Sequence, residues 1–281
     1  MHVCLNGRIV PVAEATVSVL DHGFLYGAGL FETMRTVGGR PMFWLEHAAR
    51  LRESAVSIGL SVPWSDAELE AWIIETVQAN ALAEAYVRLT VTRGEGALGP
   101  SGQTCARPTL VIYVKELVLP SARVYETGRD LIVFETLRQT PETPVRVKSH
   151  NYLNSLLAYR ELEQRGAAEG IQLTATGFVA EGAVSNLFFV VDGQLWTPSL
   201  DTGILPGITR AWAIREAREA GLDVREHRFG VEDLRTATEA FTTSSVVGLI
   251  PAVSIEGTPL GDGKIGPVTD RLMTAWKQVS R

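Results

Sequence analysis

Four glycine-bearing turn pairs, Asn6-Gly7, Gly38-Gly39, Thr176-Gly177 and Asp192-Gly193, each lie between short runs of residues that favour extended structure. A tight reversal needs backbone at positive φ, which Gly, Asn and Asp adopt cheaply, and a period of two marks a half-buried strand. The four pairs predict four β-hairpins. Between and beyond them lie segments with helical period: 44–58, closed by Gly59; 65–81, opened by Ser65 with Glu68 three residues on; 149–165, closed by Gly166; and 208–220, closed by Gly221. Hairpins with interspersed helices predict an α+β fold and argue against a doubly wound parallel sheet.

A chain of 281 residues is long enough for two domains or one large one. The pattern changes after the strand-like run PTLVIYVKELVL, so an N-terminal α/β domain is expected over 1–115, a linker over 116–122 and a C-terminal domain over 123–281. No internal repeat or low-complexity tract is visible. The stretch 94–108, with four glycines and two prolines, reads as a mobile, exposed loop, either functional or an ordinary connection.

With 26 basic and 32 acidic residues the formal charge is −6, which argues against a chain built to neutralise a nucleic-acid backbone. No run approaches the roughly 20 apolar residues of a membrane helix, and the start, MHVCLNGRIV, lacks the pattern of a secretory signal. Cys4 and Cys105 have no ligand or redox-motif spacing and read as two reduced thiols of a cytoplasmic protein. His22, His47, His150 and His227 form no paired spacing, so no metal site is expected.

Several residues can carry chemistry, each with an ordinary alternative. The helix start after Leu205-Pro206-Gly207 presents unpaired amides at Ile208 and Thr209 and the Thr209 hydroxyl, a set that can hold a phosphate or simply cap itself. Ser244 and Ser245, in a hydroxyl-rich turn, can do either too. Arg50 falls on the polar side of its helix, where a solvated arginine is the default. Lys148, one of only four lysines, stands where an extended segment after Pro144 passes into a helix; partial desolvation there would favour the neutral amine that attacks an aldehyde, whereas a surface lysine would snorkel. Glu181 borders a buried strand and can end in solvent, pair with arginine, or hold the proton of a ring nitrogen.

Five segments together, LDHGFLYGAGLFETMRT (20–36), EHAARL (46–51), KSHNYLNSLLA (148–158), EGAVSNLFFV (181–190) and DTGILPGITR (201–210), resemble the class IV, fold-type IV pyridoxal-phosphate enzymes. That family includes branched-chain and D-amino-acid aminotransferases and 4-amino-4-deoxychorismate lyase. The resemblance implies a smaller N-terminal α/β domain and a larger, barrel-like C-terminal domain with the site between them, a pyridoxal 5′-phosphate cofactor, a small-molecule amine substrate and a homodimer. It implies Lys148 as the Schiff-base lysine and proton carrier, Glu181 at the pyridine nitrogen and Tyr152 near the phenolic oxygen. Arg50, Ile208, Thr209, Ser244 and Ser245 would hold the phosphate, and Tyr26, Arg88 and Arg107 would face the substrate.

Within the family, DHGFLYGAGLFETMR, RVKSHNYLN and TPSLDTGIL are most similar to the lyase branch, since branched-chain enzymes tend to carry FEG where this chain has FET. TRGEGALGPSG lacks the R-x-H arrangement usual in D-amino-acid enzymes. Tyr86-Val87-Arg88 parallels a Tyr-x-Arg strand of branched-chain enzymes, so an aminotransferase stays open beside a lyase that supplies folate synthesis; a noncatalytic binding protein on the same scaffold is a third reading.

Overall fold

The structure, a computed structural model, describes residues 1–99 and 107–280. Cys105 and the middle of the loop expected over 94–108, residues 100–106, lie outside the described residues. The chain forms two compact units, one of Met1–Val118 with Val147–Asn151, the other of Leu119–Arg146 and Tyr152–Ser280.

In the first unit β1 (His2–Leu5) turns through Asn6 and Gly7, both at positive φ, into β2 (Arg8–Pro11). A short helix α1 (His22–Tyr26), capped by the Asp21 side chain on the Gly23 amide, leads into β3 (Gly29–Val37). The Gly38-Gly39 turn joins β3 to β4 (Arg40–Pro41), followed by α2 (Trp44–Ser57), α3 (Asp66–Ala79), β5 (Ala85–Thr92) and β6 (Thr109–Glu116). The Ser65-Glu68 capping box read from the sequence is present at the start of α3. The sheet runs β2-β1-β6-β5-β3-β4 with every neighbouring pair antiparallel.

Alternation divides this sheet into two faces. Leu30 and Met34 of β3, Val87, Leu89 and Val91 of β5 and Leu110, Ile112 and Val114 of β6 share one face and pack with Trp44, Ala48, Leu51, Leu69 and Ile73 of the two helices. The other face carries Gly29, Phe31, Thr33 and Arg35, directly opposite Thr92, Thr90, Arg88 and Tyr86. Cys4 lies in the core as a free thiol, and burial pushes its pKa up to about 11.

The second unit contains α4 (Ala122–Thr127), β7 (Arg129–Val133), α5 (Leu153–Arg165), β8 (Gly170–Ile171), β9 (Asn186–Val191) and β10 (Gln194–Pro198). Then come α6 (Ile208–Glu219), β11 (Val224–His227), β12 (Ala237–Ser244), β13 (Gly248–Ile255), β14 (Thr258–Pro259) and α7 (Pro267–Val279). Its sheet order is β11-β10-β9-β12-β13-β7-β8, with β14 paired to β13. The β10–β11, β7–β13 and β7–β8 pairs are parallel and the rest antiparallel. Strand β9, Asn-Leu-Phe-Phe-Val-Val, is buried along its whole length, and the Phe188 and Phe241 rings stack at 4.8 Å. An antiparallel sheet, a mixed sheet and packed helices make the chain α+β, with the fold-type IV architecture of pyridoxal-phosphate enzymes.

Two sequence expectations are corrected. The Thr176-Gly177 turn closes through the Thr174 amide and Phe178 carbonyl and is flanked by the Leu173–Val179 bridge and by Gln172, which hydrogen-bonds Ala180 and Glu181, but this pairing is too short to make strands. The helix expected over 149–165 starts four residues later, at Leu153. The segment before it is taken by the first unit: the Phe31 amide donates to the Lys148 carbonyl and the His150 amide to the Gly29 carbonyl, both at 2.9 Å, and Ser149 bridges Leu30.

Candidate active site

Those two hydrogen bonds position Lys148. The half-buried side chain places Nζ 4.7 Å from the centre of the Phe31 ring, while the Arg88 guanidinium lies 3.6 Å from the same ring. A phenylalanine face attracts cations through its quadrupole, and here it attracts two. Lys148 therefore stands on the face of β3 away from the helical core. Tyr26 lies at the end of α1, where its hydroxyl accepts from the Gly99 amide at 2.6 Å and its ring meets His22 edge-on. Arg107 is exposed.

Arg50 departs from the solvated arginine expected for it. It is buried against the sheet, where Nε donates to Glu32 Oε1 at 2.9 Å and Nη2 to Oε2 at 2.5 Å. His47 Nδ1 is 2.6 Å from the same Oε2. Burial alone would raise the Glu32 carboxyl, but Arg50 and His47 outweigh it and hold the pKa at about 2. Burial lowers the His47 pKa more strongly than Glu32 raises it, and Arg50 and Lys148 push it the same way as burial, so a neutral imidazole donates to Glu32 from Nδ1. Its buried Nε2 has no partner among the described residues.

In the second unit Glu181 is buried inside a set of donors. Oε1 accepts from Arg138 Nε at 2.7 Å with Arg146 Nε at 3.9 Å, and Oε2 accepts from Asn186 Nδ2 at 3.2 Å and the Leu205 amide at 3.0 Å. The carboxylate is thus paired with arginine rather than exposed to solvent. Burial first, then the Arg138 charge, lower the Arg146 pKa to about 10; Arg146 is itself tied to the carbonyls of Gly203 and Gln139.

Helix α6 begins at Ile208 after Gly207, which offers no side-chain cap. A Cβ at Gly207 would fall 2.0 Å from Asn186 Oδ1, so the close approach requires glycine. Thr209 is buried, and its hydroxyl has no partner among the described residues. Uncapped first-turn amides, the positive helix end and an orphaned hydroxyl are the donor set a phosphate group needs, so these residues fit one. At the β12–β13 turn the Ser244 hydroxyl accepts weakly from the Val247 amide, Ser245 is half-buried, and the neighbouring Thr243 hydroxyl is buried without a partner among the described residues. Tyr152 caps the start of α5, its carbonyl accepting from the Leu156 amide.

Glu32, His47, Arg138, Arg146 and Asn186 were not singled out from the sequence. Glu32 carried a weak signal, an acidic residue in an alternating strand at a position that should be apolar; Arg138 and Arg146 reach Glu181 from more than thirty residues away and carried none. Among the described residues no group of His, Cys, Asp and Glu is placed to hold a metal ion, and no helix is long and apolar enough to cross a membrane.

Residues 29–255 match the sequence model of the family described as Amino-transferase class IV. The chain is 37% identical to a putative branched-chain-amino-acid aminotransferase of Methanocaldococcus jannaschii over 99% of its own length and 96% of the relative's. It is also 37% identical to the aminodeoxychorismate lyase of Bacillus subtilis, over 98% of its own length and 94% of that protein's. Among solved structures, the T.th. branched-chain amino acid aminotransferase with pyridoxamine 5′-phosphate superposes with a TM-score of 0.91 at 32% identity, covering 99% of this chain and 94% of that one.

Proposed function

Because this chain belongs to the class IV aminotransferase family, whose members act on small-molecule amines with pyridoxal phosphate, we propose that it is a pyridoxal-phosphate-dependent lyase. The reaction is conversion of 4-amino-4-deoxychorismate to 4-aminobenzoate and pyruvate, a supply of folate synthesis. The observation that carries the reading is the Thr33–Arg88 pair. Thr33, the last residue of the FET motif, stands directly opposite Arg88 on the face of β3 and β5 where Phe31 lies beneath Lys148 Nζ and Arg88. Branched-chain enzymes tend to carry glycine there, so threonine adds a hydroxyl and narrows the space beside the guanidinium. Arg88 has no carboxylate partner among the described residues. An uncompensated guanidinium suits a substrate that brings its own carboxylates.

The residues divide the work as follows. Bound pyridoxal phosphate supplies an aldehyde that captures the substrate amine and a ring that accepts electrons from the neighbouring carbon. Arg50, the Ile208 and Thr209 amides, the Thr209 hydroxyl and the Ser244-Ser245 turn hold the phosphate. Glu181, fixed by Arg138, Asn186 and the Leu205 amide, keeps a proton on the ring nitrogen. Tyr152 would approach the phenolic oxygen. Lys148 Nζ removes the proton from the amino-bearing carbon of the substrate. Arg88 binds a substrate carboxylate, with Tyr26 and Arg107 as further substrate contacts. The enolpyruvyl group leaves through its oxygen with the C–O electron pair, takes a proton from Lys148 or a water, and becomes pyruvate; the ring left behind is aromatic, which makes the elimination strongly downhill.

A second reading, an aminotransferase for branched-chain or related amino acids, is favoured by Tyr86-Val87-Arg88 and by the branched-chain relatives. One assay separates the two: purified protein is given 4-amino-4-deoxychorismate, with 4-aminobenzoate and pyruvate followed, beside a panel of amino donors with 2-oxo acids. Turnover of the chorismate derivative is expected. Efficient turnover of amino donors alone would replace the lyase with the aminotransferase. The reading also carries a cytoplasmic homodimer, which sedimentation equilibrium and cell fractionation test.

A further inference from the structure

His150 shares the extended segment of Lys148 but has none of the roles assigned above. Alternate residues of an extended segment leave it on the same side, so the Lys148 and His150 side chains emerge together and Ser149 opposite them. The imidazole rests on Gly29, where a Cβ would come within 2.7 Å of both Nδ1 and Cε1. Its centre is 6.3 Å from that of Phe31. Gly29, Phe31 and Thr33 are alternate residues of β3, so His150 lies on the face that carries Lys148 Nζ and the Arg88 guanidinium.

Two features set it apart from a histidine that merely fills space. Its Nε2 is buried without a hydrogen-bond partner among the described residues, whereas buried polar nitrogens are ordinarily paired. Its charged form is also disfavoured, first by burial and then by the Arg88 charge, with Asp21 working in the opposite direction. The charged groups that act on it are Arg88 from β5 and Asp21 from the turn before α1. A neutral imidazole can present either an N–H or a lone pair at Nε2, and an approaching carboxylate selects the N–H tautomer.

We propose that His150 is a substrate-binding group, donating from Nε2 to an oxygen of the anionic amine substrate that Arg88 attracts. The proposal rests on the reading of the Lys148 face as the substrate site. The test uses holoenzyme of the wild type, His150→Phe, which keeps a ring over Gly29 without a donor, and His150→Gln, which restores an N–H. With 4-amino-4-deoxychorismate, the KM of His150→Phe should rise about tenfold or more while kcat changes less, as expected for one lost hydrogen bond to a charged group. His150→Gln should recover most of that loss. In the wild type, the imidazole 15N resonances that disappear in His150→Gln should move when 4-aminobenzoate is added, and should titrate at higher pH in Arg88→Met.

A wild-type KM in His150→Phe, a His150→Gln no better than His150→Phe, or resonances indifferent to 4-aminobenzoate would each overturn the proposal. Should His150→Phe fail to fold, the shift of the wild-type resonances decides alone; should His150→Gln fail as well, those resonances are assigned by removing the other four histidines one at a time. Failure of the lyase reading looks different, namely no 4-aminobenzoate from the wild type, and the same KM comparison then runs with the amino donor it accepts.

Discussion

The two faces of the β3–β5 ladder are made of alternate residues of the same strands, yet they treat charge in opposite ways. On the helix-covered face Glu32 sits among Leu30, Met34 and Leu89 and is fully answered by Arg50 and His47 of α2. On the other face Arg88 and Lys148 share the Phe31 ring, and Arg88 meets no carboxylate among the described residues. A buried carboxylate must bring its counter-charges with it, because desolvation is otherwise too costly. A half-buried guanidinium against an aromatic ring tolerates an incomplete set of partners, which leaves it able to bind. A carboxylate answered from within its own unit stabilises that unit; a guanidinium without a carboxylate is where a substrate carboxylate belongs.

That contrast predicts separable effects. The largest is on the open face: Lys148→Ala should cut formation of 4-aminobenzoate and pyruvate at least about a thousandfold, since the proton-transfer group is gone. The midpoint of urea unfolding should hardly move. Full activity in this variant would remove the site from this face altogether.

Next is the closed face. Arg50→Met leaves Glu32 buried with only a neutral imidazole, and should cost about 3–5 kcal/mol in urea unfolding. The acid limb gives an independent check. The folded Glu32 carboxyl titrates near 2 and the unfolded one near 4.5, so its contribution is complete above about 4.5 and is lost as pH falls toward 2. That linkage is worth about 3 kcal/mol, and the stability of Glu32→Gln should depend less on pH over the same window. An unchanged acid limb would show that the carboxylate is not closed as described.

Smaller effects sharpen the contrast. Arg88→Met should raise the KM for the carboxylate substrate about tenfold or more, with a stability change near 1 kcal/mol or less, because no folded-state carboxylate loses its partner. Comparable losses of stability in Arg88→Met and Arg50→Met would erase the distinction between the faces. Smallest is Ser65→Ala, which removes the α3 cap far from both faces: about 1 kcal/mol in unfolding and unchanged kcat set the scale of a purely local change.

Local patterns were readable where the cause is local. The turns at Asn6-Gly7, Gly38-Gly39 and Asp192-Gly193 need positive φ and received residues that adopt it, and α3 starts where its capping box says it should. The helix over 149–165 was misplaced for a nonlocal reason. Ser149, His150 and Asn151 lie in a stretch that accepts either backbone state, and β3, more than a hundred residues earlier, supplies hydrogen bonds that hold it extended. Thr176-Gly177 provided a turn whose flanking pairing stays too short to make the strands of a hairpin.

The candidate residues show the same division. The order and spacing of the five motifs in the chain were enough to indicate the family, because they require no knowledge of neighbours. The surroundings of Arg50 and Glu181 were out of reach. Whether Arg50 meets water or Glu32, and which arginines answer Glu181, depends on backbones brought together from distant segments. By itself the sequence determined the turns, the helix starts and the identity of the groups able to react. Only the tertiary structure decided which charges are closed and which stay open, because burial and pairing are properties of the packed chain, not of any segment within it.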